Sequence, residues 1–400
     1  MGDNCTNGGT LFNRLSIWSA LYLPHTGGVE NFTHNIAAAL AKRGVRVQVV
    51  TSQLGGAPEH EADENGVEIW RLPARNLMGG RLPISQKNAH YKELLDAAAA
   101  FSPEAVLVNT RFYAHSVEGL RFAKRVGAKA AVLDHGSAHL VLGNAAADAV
   151  LAAYEHAITA CVKAYHPEFY GISQKSADWL RHFGIKPTGI IQNAIDAPAF
   201  RALASDRDFR AELGVGAEDL LVTFCGRLVP EKGPDKLLDA LGRLCGENDA
   251  LQIKCVFAGD GALRGALGAK AAALAEFAGQ RSAFFPGNLK PADLSALLQQ
   301  SNLFCLPTRS EGFCTSLLEA SACGVPSLIT DVGGARELIP DDTCGFILSS
   351  ADAPAVAAGL REAASLGLPA LAAMGACARE HVEAVSSWGH TADAVMAAFE

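Results

Sequence analysis

The feature that most constrains this chain is a rhythm that runs, stops and starts again. Short apolar runs of strand character alternate with helical segments: LSIWSALYL (15–23), helical VENFTHNIAAALAKRG, VRVQVVTS, VEIWRL, a helix over 87–101, EAVLVN, a helix near 113–126 and AKAAVLD. Strands separated by helices of this length are joined by crossovers, which demands a mostly parallel sheet wrapped by helices. After about residue 193 the pattern restarts with LLVTFCGRL, a helix from Pro234, LQIKCVFAG, a helix from 262, SAFFPG, a helix over 291–300, NLFCLP, a helix over 314–323 and VPSLIT. The predicted fold class is therefore α/β, with two Rossmann-like doubly wound domains in series. The join falls in the turn-rich stretch NAIDAPAF (193–200). Residues 1–192 form the first domain and 193–385 the second, and 386–400 is expected to be a helix packing back on the first. From Ala353 onward the chain reads as Ala-rich and helical throughout, and HEADENG (60–66) as a solvated loop.

Length supports two domains: 400 residues are two to three times the usual single-domain size. Apolar residues make up 49% and charged ones 19%, which excludes a disordered chain. No apolar run is long enough to span a bilayer, and the polar start MGDNCTNGGT lacks the cationic and apolar regions of a secretory leader. The expected location is the cytoplasm. The ten cysteines form no C-x-x-C pair and are expected to be reduced thiols, neither disulfide-bonded nor bound to zinc.

The net charge of −8 is unevenly spread, +2 over residues 1–190 and −10 over 191–400. An acidic total argues against nucleic acid as a partner. The asymmetry points the first half toward something anionic. Within it, residues 71–92 carry five cations (Arg71, Arg75, Arg81, Lys87 and Lys92) and no acid. Two readings stay open: peripheral docking on lipid phosphate at the inner face of a membrane, or a solvated loop and helix start.

Rossmann-like sheets bind ligands at the carboxyl ends of their strands. Two such sheets are expected to face an interdomain cleft. Three motifs fall on those ends. PHTGGVE (24–30) follows the first strand and opens a helix, so Gly27 and Gly28 let backbone come close to an anion at the helix N-terminus. It is not G-x-G-x-x-G, which disfavours a nicotinamide site. CGRLVPEKGPDKL (225–237) sets Arg227 and Lys232 across a turn, two cations suited to a diphosphate, unless Glu231 pairs with one of them. PTRSEGFCTSLLEASACGVP (307–326) puts Glu311 in a loop, Gly312 in a tight turn and a helix start near Cys314, with open N–H groups from Phe313 through Cys314 and Thr315 to Ser316. Glu319 lies farther along that helix, where a Glu taken alone reads better as solvated, though the whole string does not.

At these residues the chain resembles the retaining glycosyltransferases of family 4, which have the GT-B fold. Their marks occur in order as GGVE (27–30), GIS (171–173), NAID (193–196), GRLVPEKG (226–233), GDG (259–261), PGNL (286–289) and EGFCTSLLE (311–319), the last a Glu–seven residues–Glu motif. Two positions depart from the family pattern, Cys314 beside the sugar site and Ala194 in the hinge.

The resemblance implies a role for each residue. Glu319 binds the nucleotide ribose, Glu311 lies near the transferred sugar, and Arg227 with Lys232 holds the donor diphosphate. Gly27 and Gly28 approach the phosphate, while Asn288 and Leu289 meet the base. His135, in VLDHGS, faces the donor sugar, with His139 one helical turn on as its competitor. It also implies a metal-independent hexosyltransferase without cofactor. Such an enzyme uses a nucleotide diphosphate sugar and an acceptor saccharide or glycolipid, in polysaccharide or glycolipid assembly. The one D-x-D, Asp206–Arg207–Asp208, sits in a charged helical segment and is not expected to hold metal. The alternatives are a GT-B-like nucleotide-sugar epimerase, or a non-catalytic subunit that binds nucleotide sugar.

Overall fold

A computed structural model describes residues 12–77, 82–139, 144–246 and 252–400. The chain divides into two compact units, Met1–Asn193 with Trp388–Glu400, and Ala194–Ser387.

In the first unit the strands are β1 (Arg14–Ser19), β2 (Arg46–Gln53), β3 (His60–Ala62), β4 (Glu68–Leu77), β5 (Leu82–Ser85), β6 (Ala105–Asn109), β7 (Lys129–Asp134), β8 (Glu168–Gly171) and β9 (Gly189–Ile190). They are ordered β3-β4-β2-β1-β6-β7-β8-β9, with β5 paired to β4. All pairings are parallel except β3 with β4 and β4 with β5. The helices are α1 (Gly28–Lys42), α2 (Ala89–Ala100), α3 (Ala114–Val126), α4 (Ala145–Lys163) and α5 (Gln174–Leu180). Central strands such as β6, AVLVN, are buried along their whole length, as a sheet covered on both faces requires. HEADENG, read above as loop, supplies β3, a short edge strand on which charged residues are tolerated because one side faces water.

In the second unit α6 (Ala197–Ala202) and α7 (Phe209–Leu213) lead into β10 (Leu220–Cys225), α8 (Pro234–Gly246), β11 (Ile253–Ala258), α9 (Arg264–Ala278), β12 (Ala283–Gly287), α10 (Pro291–Gln300), β13 (Leu303–Leu306), α11 (Thr315–Ala322), β14 (Ser327–Thr330), α12 (Ala335–Leu338), β15 (Gly345–Leu348), α13 (Ala353–Leu366) and α14 (Leu368–Val385). The sheet order is β12-β11-β10-β13-β14-β15, every pairing parallel. Counted from the first strand this is 3-2-1-4-5-6, whose order reverses between β10 and β13. The Asp206–Arg207–Asp208 triplet is spent on structure. Asp208 accepts from Ala211 N at 2.9 Å to cap α7, and Arg207 pairs with Glu212 and Asp293.

The C-terminal stretch is not one helix. It breaks at Gly367 and again before α15 (Trp388–Ala397). Helix α15 packs on α1 through Trp388 against Phe32 and an Arg43–Asp393 ion pair at 2.6 Å, and Lys129 donates to Phe399 O.

Two further sequence expectations are overturned here. Cys344 and Cys377 form a disulfide, their Cα atoms 5.2 Å apart. They lie 33 residues apart, and only the packing of α14 beside the entrance to β15 makes them neighbours. Arg71 is not a surface cation. It is buried, donates to Pro58 O and Leu23 O, and pairs with Glu61 at 2.6 Å. Its charge is consumed tying β4 to two loops. Arg75 is exposed, Lys87 pairs with Glu118 at 3.1 Å, Lys92 is exposed, and Arg81 lies outside the described residues.

Candidate functional site

In the second unit the candidates gather at the carboxyl ends of the strands flanking the reversal point. The turns after β10, β11 and β12 are laced together by Gly226 N→Ala258 O (3.0 Å), Leu228 N→Asp260 O (2.8 Å) and Gly259 N→Gly287 O (2.8 Å). The approach is so close that a Cβ on Gly259, at φ +141°, would stand 2.0 Å from Gly226 O. This is the physical reason for glycine in the GDG motif.

The turn Pro230–Lys232 is pressed onto the end of β13. Arg309 N donates to Glu231 O at 2.9 Å and Thr308 Oγ1 to the same oxygen at 3.2 Å. Lys232 is thereby aimed at Glu311, and the two side chains form a largely buried ion pair. Burial pushes the Glu311 carboxyl above its ordinary range, against the pull of Lys232. Arg227 is 59% exposed and stands 4.0 Å from Glu231.

Helix α11 opens without a side-chain cap. Cys314, at the cap position, is buried, its thiol 3.4 Å from Ser316 Oγ and pushed up to about 12 by burial. Gly312 and Phe313 are half-buried, and the Phe313 ring lies under Gly334. Thr315 is exposed. Glu319 is half-buried on α11 and pairs with no side chain among the described residues. Burial alone raises its carboxyl to about 7. Asn288 is exposed just beyond β12, while Leu289 turns inward against the core.

In the first unit Gly27 caps α1 in extended backbone, with the buried Glu30 folded over it and His25 3.2 Å from that carboxylate. Gly28 faces open space. His135 follows β7, with Nε2 3.2 Å from Asn109 Oδ1 and its ring edge-on to Phe32. Asn109 Nδ2 donates to Thr33 Oγ1 at 2.7 Å, which turns the amide oxygen toward His135. The imidazole therefore carries its proton on Nε2 and presents a bare Nδ1. Burial pulls its pKa down to about 3, so it is neutral in ordinary buffers. His139 is not on a helix with His135. It sits in an irregular loop and is held elsewhere, by Glu155.

Thus Gly27, Gly28 and His135 belong to one unit and the remaining candidates to the other. Asn109 and Thr33, which orient His135, were missed from the sequence. The only local signal is that Asn109 is a polar residue ending an apolar strand; Thr33, inside α1, gives none.

Residues 26–197 match the family model described as Glycosyltransferase Family 4, and residues 205–381 match that of Glycosyl transferases group 1. The chain belongs to the family 4 glycosyltransferases. The D-inositol 3-phosphate glycosyltransferase of Mycobacterium avium is 33% identical over 52% of the chain. That match spans 48% of the relative, about half its length. The enzyme of the same name from Rhodococcus erythropolis is 28% identical over 93% of the chain and 86% of its own length. Among solved structures, sucrose-phosphate synthase from Thermosynechococcus elongatus aligns with a TM-score of 0.73, 19% identity and coverage of 96% of this chain and 97% of that one. Anabaena HepE in complex with UDP aligns with a TM-score of 0.70, 17% identity and coverage of 96% and 98%. At such identity these neighbours establish the fold, GT-B, with two parallel-sheet domains. No helix among the described residues is long and apolar enough to cross a membrane.

Proposed function

We propose that this glycosyltransferase moves a hexose-type sugar from a nucleotide diphosphate sugar to an acceptor, with retention of anomeric configuration and without a metal ion. The second unit holds the donor and the first most of the acceptor. The observation that carries the reading is the pairing of Lys232 with Glu311 beside an unpartnered, half-buried Glu319 at the reversal point of one sheet. Arg227 and Lys232 supply two cations to the diphosphate. Each faces a carboxylate, Glu231 or Glu311, that an arriving phosphate can displace. Lys232 then neutralises charge growing on the leaving group, the largest electrostatic demand of the step. Glu311 and the N–H groups from Gly312 to Ser316 are assigned to the sugar, Glu319 to the ribose, and Asn288 with Leu289 to the base. In the first unit Gly27 and Gly28 are assigned to phosphate and the neutral His135 to the donor sugar. No side chain is placed as a nucleophile, so acceptor attack and departure of the diphosphate are assigned to one face, the leaving phosphate taking the acceptor proton.

The acceptor is assigned as a saccharide or glycolipid of an assembly pathway. The names of the relatives favour a second choice, a phosphorylated cyclitol. Peripheral contact with an anionic membrane is proposed through the β4–β5 hairpin. There Arg75 and Lys87 flank a groove of about 650 Å³, with Leu77 and Ile84 among its walls and both exposed.

The test scores nucleotide release from UDP-, GDP- and dTDP-sugars against an acceptor panel, with product anomers assigned by NMR. One donor is expected to release nucleotide only with acceptor present, with retention and in excess chelator. Turnover without any acceptor would favour the epimerase. Silence with every pair, together with tight nucleotide-sugar binding, would favour a binding subunit.

A further inference from the structure

Away from the candidate site, the first unit gathers three histidines from three chain segments. His139 lies in the loop after β7, His156 on α4 and His182 in the short turn after α5. One ring nitrogen from each lies within 4.8 Å of the others, and the ring centroids are 5.1–5.7 Å apart.

The surroundings are organised around His139. Its Nδ1 meets Glu155 Oε2 at 2.5 Å, which leaves Nε2 as its outward lone pair. Glu155 is buried, and its other oxygen is bound by Arg111 Nη2 at 2.7 Å. Arg111 is itself buried, donates to Thr159 Oγ1 at 2.9 Å and lies over the Phe183 ring at 3.7 Å. The Trp179 indole stacks on His182 and meets His139 edge-on. A carboxylate gripping the far nitrogen of a histidine is the arrangement that fixes a metal-ligating imidazole and raises its basicity.

We propose that His139, His156 and His182 form a zinc site, with Glu155 as the positioning residue behind His139 and water in the fourth place. Three imidazoles suit a borderline cation such as Zn²⁺ and not oxygen-seeking Mg²⁺ or Ca²⁺. Nitrogens about 2.0–2.1 Å from a tetrahedral ion stand roughly 3.4 Å apart. Loading the site therefore draws the rings inward by side-chain rotation, which His156 and His182 are free to make because both are exposed. The bound ion fastens α4, the turn after α5 and the loop after β7 to one another. It plays no part in sugar transfer.

The experiment uses the full chain, without a histidine tag, stripped by chelator and desalted. Zn²⁺ is titrated in competition with a chromophoric chelator, and Co²⁺ is added separately for its visible spectrum. One equivalent of Zn²⁺ should bind, and Co²⁺ should show tetrahedral absorption. H156A/H182A should weaken binding by at least about a hundredfold, and E155Q by about ten- to a hundredfold, as loss of an outer partner does. Both substituted histidines are on the surface, so the metal-free double variant should melt with the metal-free parent. No saturable binding, or equal affinity in H156A/H182A as thiol capture elsewhere would give, overturns the proposal.

Discussion

At the scale of the residue, Glu319, proposed above as the ribose contact, shows how such a position would work against the fold that carries it. Its carboxyl ordinarily titrates at 4.5 and is raised to about 7 by burial, with no cation to compensate. Between those values the unfolded chain has released a proton that the folded chain retains, so stability falls as pH rises through this window. The full difference is worth about 3 kcal/mol, and solvent on the half-open side leaves about 1–2 kcal/mol of it. E319Q should therefore be more stable than the parent by that amount at pH 8, and equal to it below pH 4.5. Thermal melts at the two pH values check this. Titration calorimetry should find the same variant about tenfold weaker or more for the nucleoside diphosphate, since a charge-assisted hydrogen bond is lost. Arg227 makes the opposite case. It is mostly exposed and its one ion pair is long, so R227A should keep the parent melting temperature. Its turnover should fall roughly 10²–10³-fold, the usual cost of removing one preorganised charge from a developing anion. Near-normal turnover at saturating donor would remove Arg227 from the diphosphate site.

At the scale of the element, the turn that presents Lys232 depends on a single glycine. Gly233 has φ +71°, and a Cβ there would stand 2.2 Å from Pro307 O, backbone that cannot step aside. G233A should cost about 2–4 kcal/mol, from the positive φ and the overlap together. Chemical denaturation measures that loss, and transfer should fall with it because Lys232 is no longer pressed toward Glu311. The glycine is legible in GRLVPEKG, but its reason lies in residue 307, far along the chain. Legibility elsewhere divides the same way. The strands β10 to β14 coincide with apolar runs, because a strand covered on both faces must be apolar throughout. The strands β3, β5, β8, β9 and β15 and the helices α4, α5 and α12 went unread. Here β3 is charged, β5 contains Pro83 and pairs only with β4, and α4 is so rich in alanine that no apolar stripe stands out. Motifs named the candidates of the second unit, since each sits where a strand ends. The partnerships between them did not show, because Lys232 and Glu311 meet across 79 residues. Composition misled for Arg71, since a count of cations cannot distinguish one in solvent from one buried against carbonyls.

At the scale of the whole molecule, the uneven charge bears on where the protein works. The half carrying +2 contains the β4–β5 hairpin, whose exposed Leu77 and Ile84 lie beside Arg75 and Lys87. Apolar side chains flanked by cations are what an anionic bilayer attracts, the first by burial and the second by charge. With Arg71 buried, it drops out of the docking set, and R71E would damage the fold without testing it. Lys87 is a poor probe as well, since a carboxylate there would face the buried Glu118. Arg75 and Lys92 avoid both difficulties, as neither has a carboxylate partner among the described residues. Each cation near the surface contributes about 1 kcal/mol, so R75A/K92A should weaken binding to anionic vesicles by about thirtyfold. Raising salt from 0.1 M to 1 M shortens the screening length from about 10 Å to about 3 Å and should release the parent likewise. Co-sedimentation with phosphatidylcholine vesicles, with and without phosphatidylserine, reads both effects. Binding that ignored lipid charge, or survived R75A/K92A unchanged, would leave the hairpin a solvated edge of the sheet. The acceptor would then be sought among soluble saccharides and phosphorylated cyclitols, because this hairpin would not hold the chain at a lipid surface where a glycolipid is found.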